Sequence, residues 1–262
     1  MRKAVSTAAH GARVSLGLAM RSLILVRRMP SVFVPSLVMP LFILVATSGA
    51  FRGISELPAL GGVDYTAFTI PLATVMGAGF AGVNAGLTMA RDIEGGFVDR
   101  LVASPAPRVT LIAGPLVAAA TRSLITTTVV LIAGGIAGVG LPGVLGTFLV
   151  YLMALGFGCA TACWAMGIAL RTRTVQSAPL MQVVVFLSIF TSVAYAPREV
   201  LGGWLRHVAD WNPVTRVLET SRAAELGPIT WDAVLPGLLS AAGLVVMLGT
   251  FTALGLAALG DR

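Results

Sequence analysis

Residues 66–108 read TAFTIPLATVMGAGFAGVNAGLTMA followed by RDIEGGFVDRLVASPAPR, and the change between these two segments indicates the class of fold. The first segment, residues 66–90, contains no charged side chain, whereas six of the eighteen residues in 91–108 are ionisable. An apolar helix of about 20 residues is long enough to cross the hydrocarbon core of a bilayer. We therefore expect residues 66–90 to span a membrane and residues 91–108 to lie in water beside it.

The composition of the whole chain agrees with a membrane protein. Of its 262 residues, 56% are hydrophobic and 11% are charged, whereas soluble proteins carry roughly 25% charged residues. Further apolar ranges predict spans at 29–50, 112–137, 145–170, 175–196 and 233–259. The sequence thus predicts an all-α integral membrane protein, with six transmembrane helices in a single transmembrane domain over residues 1–262.

The distribution of basic residues predicts the orientation of these helices. Twelve of the 18 Lys and Arg residues fall in the termini and in the connections at 91–108 and 171–174, and five fall in the connections on the other side. Lys and Arg accumulate in cytoplasmic loops. We therefore expect a multi-pass protein of the plasma membrane with both termini in the cytoplasm. The net charge of +7 then reflects this asymmetry and not nucleic-acid binding.

Residues 1–28 are too polar to cross the membrane but can form an amphipathic helix. Its arginines would face the anionic lipids of the cytoplasmic leaflet, which makes membrane lipids a partner of this segment. The alternative is a solvated basic tail, because the apolar face of the helix is rich in Ala and Gly.

The predicted span 66–90 carries two patterns at helical spacing. Gly79, Gly82 and Gly86 would allow a second helix to approach closely. A separate stripe, spaced by four residues, comprises Phe68, Leu72, Met76, Phe80 and Asn84. Asn84 is the only amide on this stripe, so it is expected to contact either a substrate or a neighbouring helix.

Arg122 is the only charge inside a predicted span. It is interpreted either as a functional charge or as an arginine that snorkels to the membrane edge or pairs with an acid of 91–108. Cys159 and Cys163 lie four residues apart on one helix and are interpreted as small packing residues.

Residues 197–232 predict two short external helices at the outer leaflet. Trp204, Trp211 and Trp231 suit an aromatic belt at the headgroup level. Asn212 followed by Pro213 predicts the start of the second helix. Arg216, Glu219, Arg222 and Glu225 alternate in sign at three-residue intervals, which predicts a ladder of ion pairs.

Several kinds of chemistry are absent from the sequence. The only lysine is Lys3, so the chain cannot contain a phosphate-binding loop with its lysine. His10 and His207 are the only histidines and are predicted on opposite sides of the membrane, so no His-based metal site is expected. We therefore expect neither catalytic residues nor a cofactor. The alternative is a membrane-embedded enzyme that acts on a lipid-linked substrate through Asp and Glu residues at the membrane edges.

Two segments resemble one family of transporters. Residues 94–105, EGGFVDRLVASP, resemble the first cytoplasmic loop of type-2 ABC exporter permeases, and residues 212–222, NPVTRVLETSR, resemble the helix before the last span in that family. With six predicted spans and a basic N-terminus, the resemblance covers essentially the whole chain. Among its branches, the chain is most similar to the daunorubicin-resistance permease group.

The resemblance implies that the chain is not an enzyme but the membrane subunit of an exporter. Its partners would be two copies of a separate ATPase subunit, which would hold ATP and Mg, and a second permease that is either identical or a sibling. Residues 91–108 would form the coupling helix that docks on the ATPase. The residues expected to serve this coupling are Glu94, Phe97, Asp99, Arg100, Leu101, Ser104 and Pro105.

The same resemblance implies a translocation path between the second and fifth spans of two protomers. The second span would contribute the stripe from Phe68 to Asn84, and the fifth would contribute Gln182, Phe186 and Phe190. Such a surface suits an amphipathic or lipid-like substrate, for example a drug, a glycolipid or a secondary metabolite. Ordinary helix packing is the alternative interpretation of these residues, and related permeases carry ions or polysaccharide instead.

Overall fold

The computed structural model describes residues 30–50, 64–103 and 109–258, together with Gly17, Met20 and Ile24. These residues form helices joined by short turns, and no strand occurs among them, in agreement with the predicted all-α class. In chain order the helices are α1 (Pro30–Ala50), α2 (Tyr65–Glu94), α3 (Phe97–Val102), α4 (Thr110–Ile136), α5 (Val144–Thr172), α6 (Ala178–Phe190), α7 (Gly203–Trp211), α8 (Pro213–Leu226) and α9 (Trp231–Ala257). A 3₁₀ turn at Val175–Ser177 precedes α6.

Four of the described helices are long and apolar enough to cross a membrane, namely α2, α4, α5 and α9. Helix α1 has 21 residues, whereas α6 has 13. At 1.5 Å per residue, α6 is about 20 Å long and does not cover the roughly 30 Å of a bilayer core. The structure therefore shows several apolar membrane helices, and the arrangement with six spans stays a prediction. The amphipathic helix predicted for residues 1–28 lies outside the described residues, except for its three exposed members Gly17, Met20 and Ile24.

Helix α2 is the central helix, and residues 65–86, apart from Phe80 and Asn84, are buried, mainly by α1, α4 and α5. Its glycines explain the close contact with α5. A Cβ atom on Gly82 would lie 2.4 Å from the carbonyl oxygen of Gly158, and one on Gly86 would lie 2.4 Å from the carbonyl carbon of Ala165. Real Cβ atoms do not approach other atoms so closely, so only glycine fits at either position. The prediction of close helix packing at these glycines is confirmed.

The contact between α5 and α9 combines aromatic packing with a charged side chain. The rings of Trp164 and Phe251 stack with their centroids 5.6 Å apart, and the Arg171 guanidinium lies 3.7 Å from the centroid of the Phe251 ring. Arg171 also donates to the carbonyl oxygens of Gly167 and Phe251, both at 2.8 Å. Cys163 is buried within α5 and, like Cys159, is a free thiol.

The structure differs from the prediction in the range 175–196, which does not form one continuous helix. Helix α6 ends at Phe190, and the side-chain amide of Asn212 donates to the carbonyl oxygen of Ser188 at 2.6 Å. The last carbonyls of a helix lack partners inside it, so this bond stabilises the early end of α6. The Asn212 side chain also accepts from the backbone N–H of Val214 at 2.9 Å, which is the predicted cap of α8.

The predicted ladder of ion pairs along α8 is wrong beyond Glu219. Arg216 lies 3.4 Å from Glu219, and Glu219 also pairs with Arg198. Arg222 instead points inward and donates to backbone carbonyls, and both carboxylate oxygens of Glu225 are buried without a hydrogen-bond partner among the described residues. On a helix of 3.6 residues per turn, side chains three positions apart point in directions that differ by about 60°, and this difference accumulates from one member of the series to the next. The later members therefore rotate away from the surface.

Candidate coupling and translocation surfaces

A turn of two glycines separates α2 from α3. The backbone N–H of Gly95 donates to the Arg91 carbonyl oxygen at 2.9 Å, and that of Gly96 donates to the Ile93 carbonyl oxygen at 3.0 Å. Gly96 has φ +67°, a left-handed conformation that is unfavourable for residues with a Cβ atom. The sequence Gly95-Gly96 therefore ends α2 and allows α3 to begin at once in a new direction.

The short helix α3 has one face on the protein and one in solvent. Val98 is buried, and Leu101 packs against the same hydrophobic core. Asp99 and Arg100 are exposed, and Phe97 is half-buried. The predicted coupling residues thus divide between two roles, because Leu101 contacts its own chain whereas Asp99 and Arg100 are open to a partner. Ser104 and Pro105 lie outside the described residues.

Glu94, the last residue of α2, makes its contacts within the chain. Its Oε1 atom accepts from the Thr174 hydroxyl at 2.9 Å and from the backbone N–H of Val175 at 2.8 Å. These partners lie in the connection between α5 and α6. The carboxylate therefore ties the start of the 3₁₀ turn before α6 to the end of α2.

Four aromatic side chains form a continuous row along α2, α6 and the turn that follows α6. The ring centroids are 5.0 Å apart for Phe80 and Phe186, 5.9 Å for Phe186 and Phe190, and 5.3 Å for Phe190 and Tyr195. Phe190 is 46% exposed, and the other three are half-buried. We call these four residues the aromatic row. Tyr195 was not predicted to belong to this surface, because it does not fall on the four-residue spacing of Gln182, Phe186 and Phe190.

The structure separates the other residues that were predicted to line a path. Leu72 and Met76 are completely buried inside the protomer, and Phe68 is 6% exposed. Asn84 is half-buried, and Gln182 is exposed. The stripe along α2 therefore passes from the protein core at Phe68 to an open surface at Phe80 and Asn84.

A half-buried arginine, Arg222, joins three elements at the end of α2 that begins with Tyr65. The Arg222 guanidinium donates to the carbonyl oxygen of Ala194 at 2.7 Å and to that of Phe68 at 3.3 Å, and it lies 3.8 Å from the centroid of the Phe68 ring. The Tyr65 hydroxyl donates to the Tyr195 carbonyl oxygen at 2.9 Å. Together these bonds connect α2 and α8 to the turn after α6.

Replacement of Arg222 by Ala is expected to destabilise the purified protein. Two buried carbonyl oxygens would lose their donor, and one such loss costs about 1–3 kcal/mol. Thermal unfolding in detergent should show a lower midpoint for Arg222→Ala and little change for Arg206→Ala, since Arg206 is exposed on α7. An equal effect of the two substitutions would contradict this role for Arg222.

Glu225 is expected to make stability depend on pH. Burial raises the pKa of its carboxyl group from 4.5 to about 8, although nearby Arg222 lowers it. A raised folded-state pKa means that the folded protein binds the proton more tightly than the unfolded chain, so stability falls as pH rises from about 4.5 to about 8. Glu225→Gln should therefore raise the unfolding midpoint at pH 8, by roughly 2–4 °C per kcal/mol, and leave it unchanged at pH 4. A midpoint shift of equal size at both pH values would contradict the assignment.

An apolar cavity lies elsewhere, between α5 and α9, and has a volume of about 370 Å³. Its lining includes Phe148, Leu152, Trp231 and Leu238, and Trp231 is 78% exposed at its edge. None of the residues of the aromatic row lines it. The cavity is therefore separate from the surface that the sequence predicts as the path.

Comparison with known proteins identifies the family. Residues 16–226 match the model of the ABC-2 type transporter family. The chain is also 27% identical over 241 residues to the daunorubicin resistance ABC transporter permease protein DrrB1 of Streptomyces coeruleorubidus, and the match covers 88% of this chain and 82% of that relative. Members of this family are membrane subunits of transporters and not enzymes. The chain therefore belongs to the ABC-2 type transporter family and is the membrane subunit of an ABC transporter.

Proposed function

We propose that the chain is the permease subunit of an exporter that carries an amphipathic or lipid-like compound out across the plasma membrane. A drug, a glycolipid or a secondary metabolite would fit this class. The relative in Streptomyces coeruleorubidus is named for daunorubicin resistance, which supports a planar, partly apolar compound as the first substrate to test.

The aromatic row is the main observation that supports this proposal. Its rings succeed one another at 5.0–5.9 Å, and an aromatic surface binds the flat apolar part of a ligand by offset or edge-to-face contact. Asn84 and Gln182 lie near this surface on the same two helices and supply the few polar groups that orient such ligands. A second permease, identical or a sibling, would face the row and close the path between the two subunits.

Two ATPase subunits would dock on the α3 segments of the two permeases. Phe97, Asp99 and Arg100 provide a half-buried ring beside two exposed charges of opposite sign, a combination that fits a groove with an apolar floor and a charged edge. Ser104 and Pro105 follow in the sequence and complete the proposed docking segment. ATP and Mg would bind only to the ATPase subunits, because Lys3, the only lysine in the sequence, does not follow the glycine-rich pattern of a phosphate-binding loop.

The proposed topology has six spans, with both termini and α3 in the cytoplasm and α7 and α8 outside. The exposed residues Trp204, Trp211 and Trp231 would then lie at the outer headgroup level. Single cysteines at Ala103 and His207, in a chain with Cys159 and Cys163 replaced by Ala, should react with an impermeant thiol reagent from opposite sides of the membrane. Labelling of both positions from the same side would contradict the six-span arrangement.

Substitutions in the aromatic row test the proposed path. Phe186→Ala and Phe190→Ala should each raise the KM for daunorubicin by roughly three- to tenfold, since one aromatic contact contributes about 0.5–1.5 kcal/mol. Phe42→Ala is the matched control, because Phe42 is 64% exposed but lies on α1. Transport would be measured as ATP-dependent uptake into inverted membrane vesicles that also contain the ATPase subunit. A KM that responds equally to Phe42→Ala and Phe190→Ala would contradict a path along the row.

A further inference from the structure

The Glu94 carboxylate caps a helical turn that belongs to a distant part of the chain. Val175 begins the 3₁₀ turn before α6, and the first N–H groups of a helical segment have no partner inside it. Glu94 accepts this N–H together with the Thr174 hydroxyl. The same hydroxyl oxygen accepts from the backbone N–H of Gln176 at 3.2 Å. Glu94 and Thr174 therefore cap the turn together, although they are 80 positions apart.

Helix α6 depends on such end contacts because its side-chain packing is sparse. Its only buried side chains are Met181, Val185 and Ile189, which form one narrow stripe. At the other end, α6 is held by the bond from Asn212 to the Ser188 carbonyl oxygen. The orientation of Phe186 and Phe190 therefore rests on that stripe and on polar bonds at the two ends of the helix.

The short helix α3 lies immediately beyond this cap. Only Gly95 and Gly96 separate Glu94 from α3, and both of their N–H groups are bonded back to α2. Val98 is buried in the same core as Met181. A displacement of the exposed residues Asp99 and Arg100 would thus reach Glu94 through about one helical turn and two hydrogen-bonded glycines.

We propose that Glu94 is a positioning residue that transmits movement of α3 to the start of α6 by holding the Thr174–Val175 turn, and that it does not contact the ATPase subunit. This inference rests on the proposed function. It changes the role that the sequence predicts for Glu94, because both bonds of its Oε1 atom are made within the chain. A movement at the start of α6 would then displace Phe186 and Phe190, which lie in the second half of this helix, and so open or close the aromatic row.

Replacement of Glu94 by Gln distinguishes the positioning role from an ion pair with the ATPase subunit. The amide oxygen of Gln can accept the same two hydrogen bonds but carries no charge. If Glu94 acts as an acceptor for Thr174 and Val175, Glu94→Gln should retain most export and Glu94→Ala should not. If Glu94 acts through its charge, both substitutions should be equally harmful.

The experiment uses the complex of the full permease with its ATPase subunit in proteoliposomes. For Glu94→Ala, daunorubicin exported per ATP hydrolysed should fall by about tenfold, which lies within the usual range of coupling between sites. Binding of the ATPase subunit should stay at the wild-type level. Arg100→Glu is the control that should lose this binding. Thr174→Val should also lower export per ATP, and Glu94→Ala combined with Thr174→Val should be no worse than Glu94→Ala alone.

Hydrogen exchange at the Val175 amide gives a second readout that does not depend on export. Exchange should become about fivefold faster in Glu94→Ala and stay near the wild-type rate in Glu94→Gln. Loss of ATPase binding in Glu94→Ala, or equal loss of export in the Gln and Ala variants, would overturn the proposal. If the wild-type complex exported nothing, the proposed function would fail and the transmitting role with it, whereas slow exchange at Val175 would still establish the cap.

Discussion

Reversal of the charge at Arg100 is expected to abolish export while the protein still inserts and folds. Arg100 is exposed on α3, so its side chain is not part of the buried core of the protomer. At the proposed interface, a reversed charge would leave an ATPase residue without its partner, and truncation or reversal at a buried charged pair costs about 2–5 kcal/mol. Binding of the ATPase subunit should weaken by at least about thirtyfold. Phe97→Ala should weaken it in the same way by removal of an apolar contact.

Arg206→Glu provides the matched control for this prediction. Arg206 is also exposed, but it lies on α7, which the proposed topology places on the opposite side of the membrane. Co-purification of the ATPase subunit and uptake into vesicles would both be measured, with the amount of permease in the membrane as the reference. Full ATPase binding by both Arg100→Glu and Phe97→Ala would show that α3 is not the docking segment.

Substitution of Gly86 by Val is expected to prevent the fold from forming. Even a Cβ atom at this position would lie 2.4 Å from both the carbonyl carbon and the Cβ atom of Ala165. Because the contact involves the backbone of α5, no side-chain rotation can relieve it. Overpacking a well-filled core costs about 1–3 kcal/mol and sometimes more, and here the two most extensively packed helices would have to separate.

The membrane level and the unfolding midpoint of the purified protein measure this effect. Gly249→Val is the matched control, since Gly249 lies within α9 and a Cβ atom there would meet no atom of the described residues within 4 Å. Gly86→Val should be scarce in the membrane, and Gly249→Val should accumulate normally. A normal level and midpoint for Gly86→Val would show that α2 and α5 do not pack as described.

Local sequence patterns predicted the features that depend on neighbouring residues. The glycine spacing in α2 indicated a close helix contact, and that contact is made with α5. Asn212 and Pro213 indicated the start of α8, and Asn212 does cap that helix. The first feature follows from small residues at helical spacing along α2, and the second from the hydrogen bonds that the start of α8 requires. Both patterns can be recognised from residues that are close together in the sequence.

Features that depend on contacts between distant segments could not be predicted in the same way. The partner of Glu94, Thr174, lies 80 residues away, and nothing in residues 91–108 indicates this contact. The spacing of Leu72 and Met76 predicted a face open to the translocation path, but both side chains are buried in the protein core. A helix face that packs in the core and one that lines an apolar path both carry apolar residues at helical spacing, so the pattern does not distinguish them. Arg222 alternates in sign with its neighbours, yet the helix turns it towards Phe68.

ATP-dependent uptake of daunorubicin by vesicles tests the central proposal most directly. Inverted vesicles with this permease and its ATPase subunit should accumulate the drug when ATP is present. Vesicles that lack either subunit, or that contain the Arg100→Glu permease, should not. The purified permease alone should hydrolyse no ATP. Uptake that persists without the ATPase subunit, or that is unaffected by Arg100→Glu, would contradict the account of this chain as a permease coupled through α3.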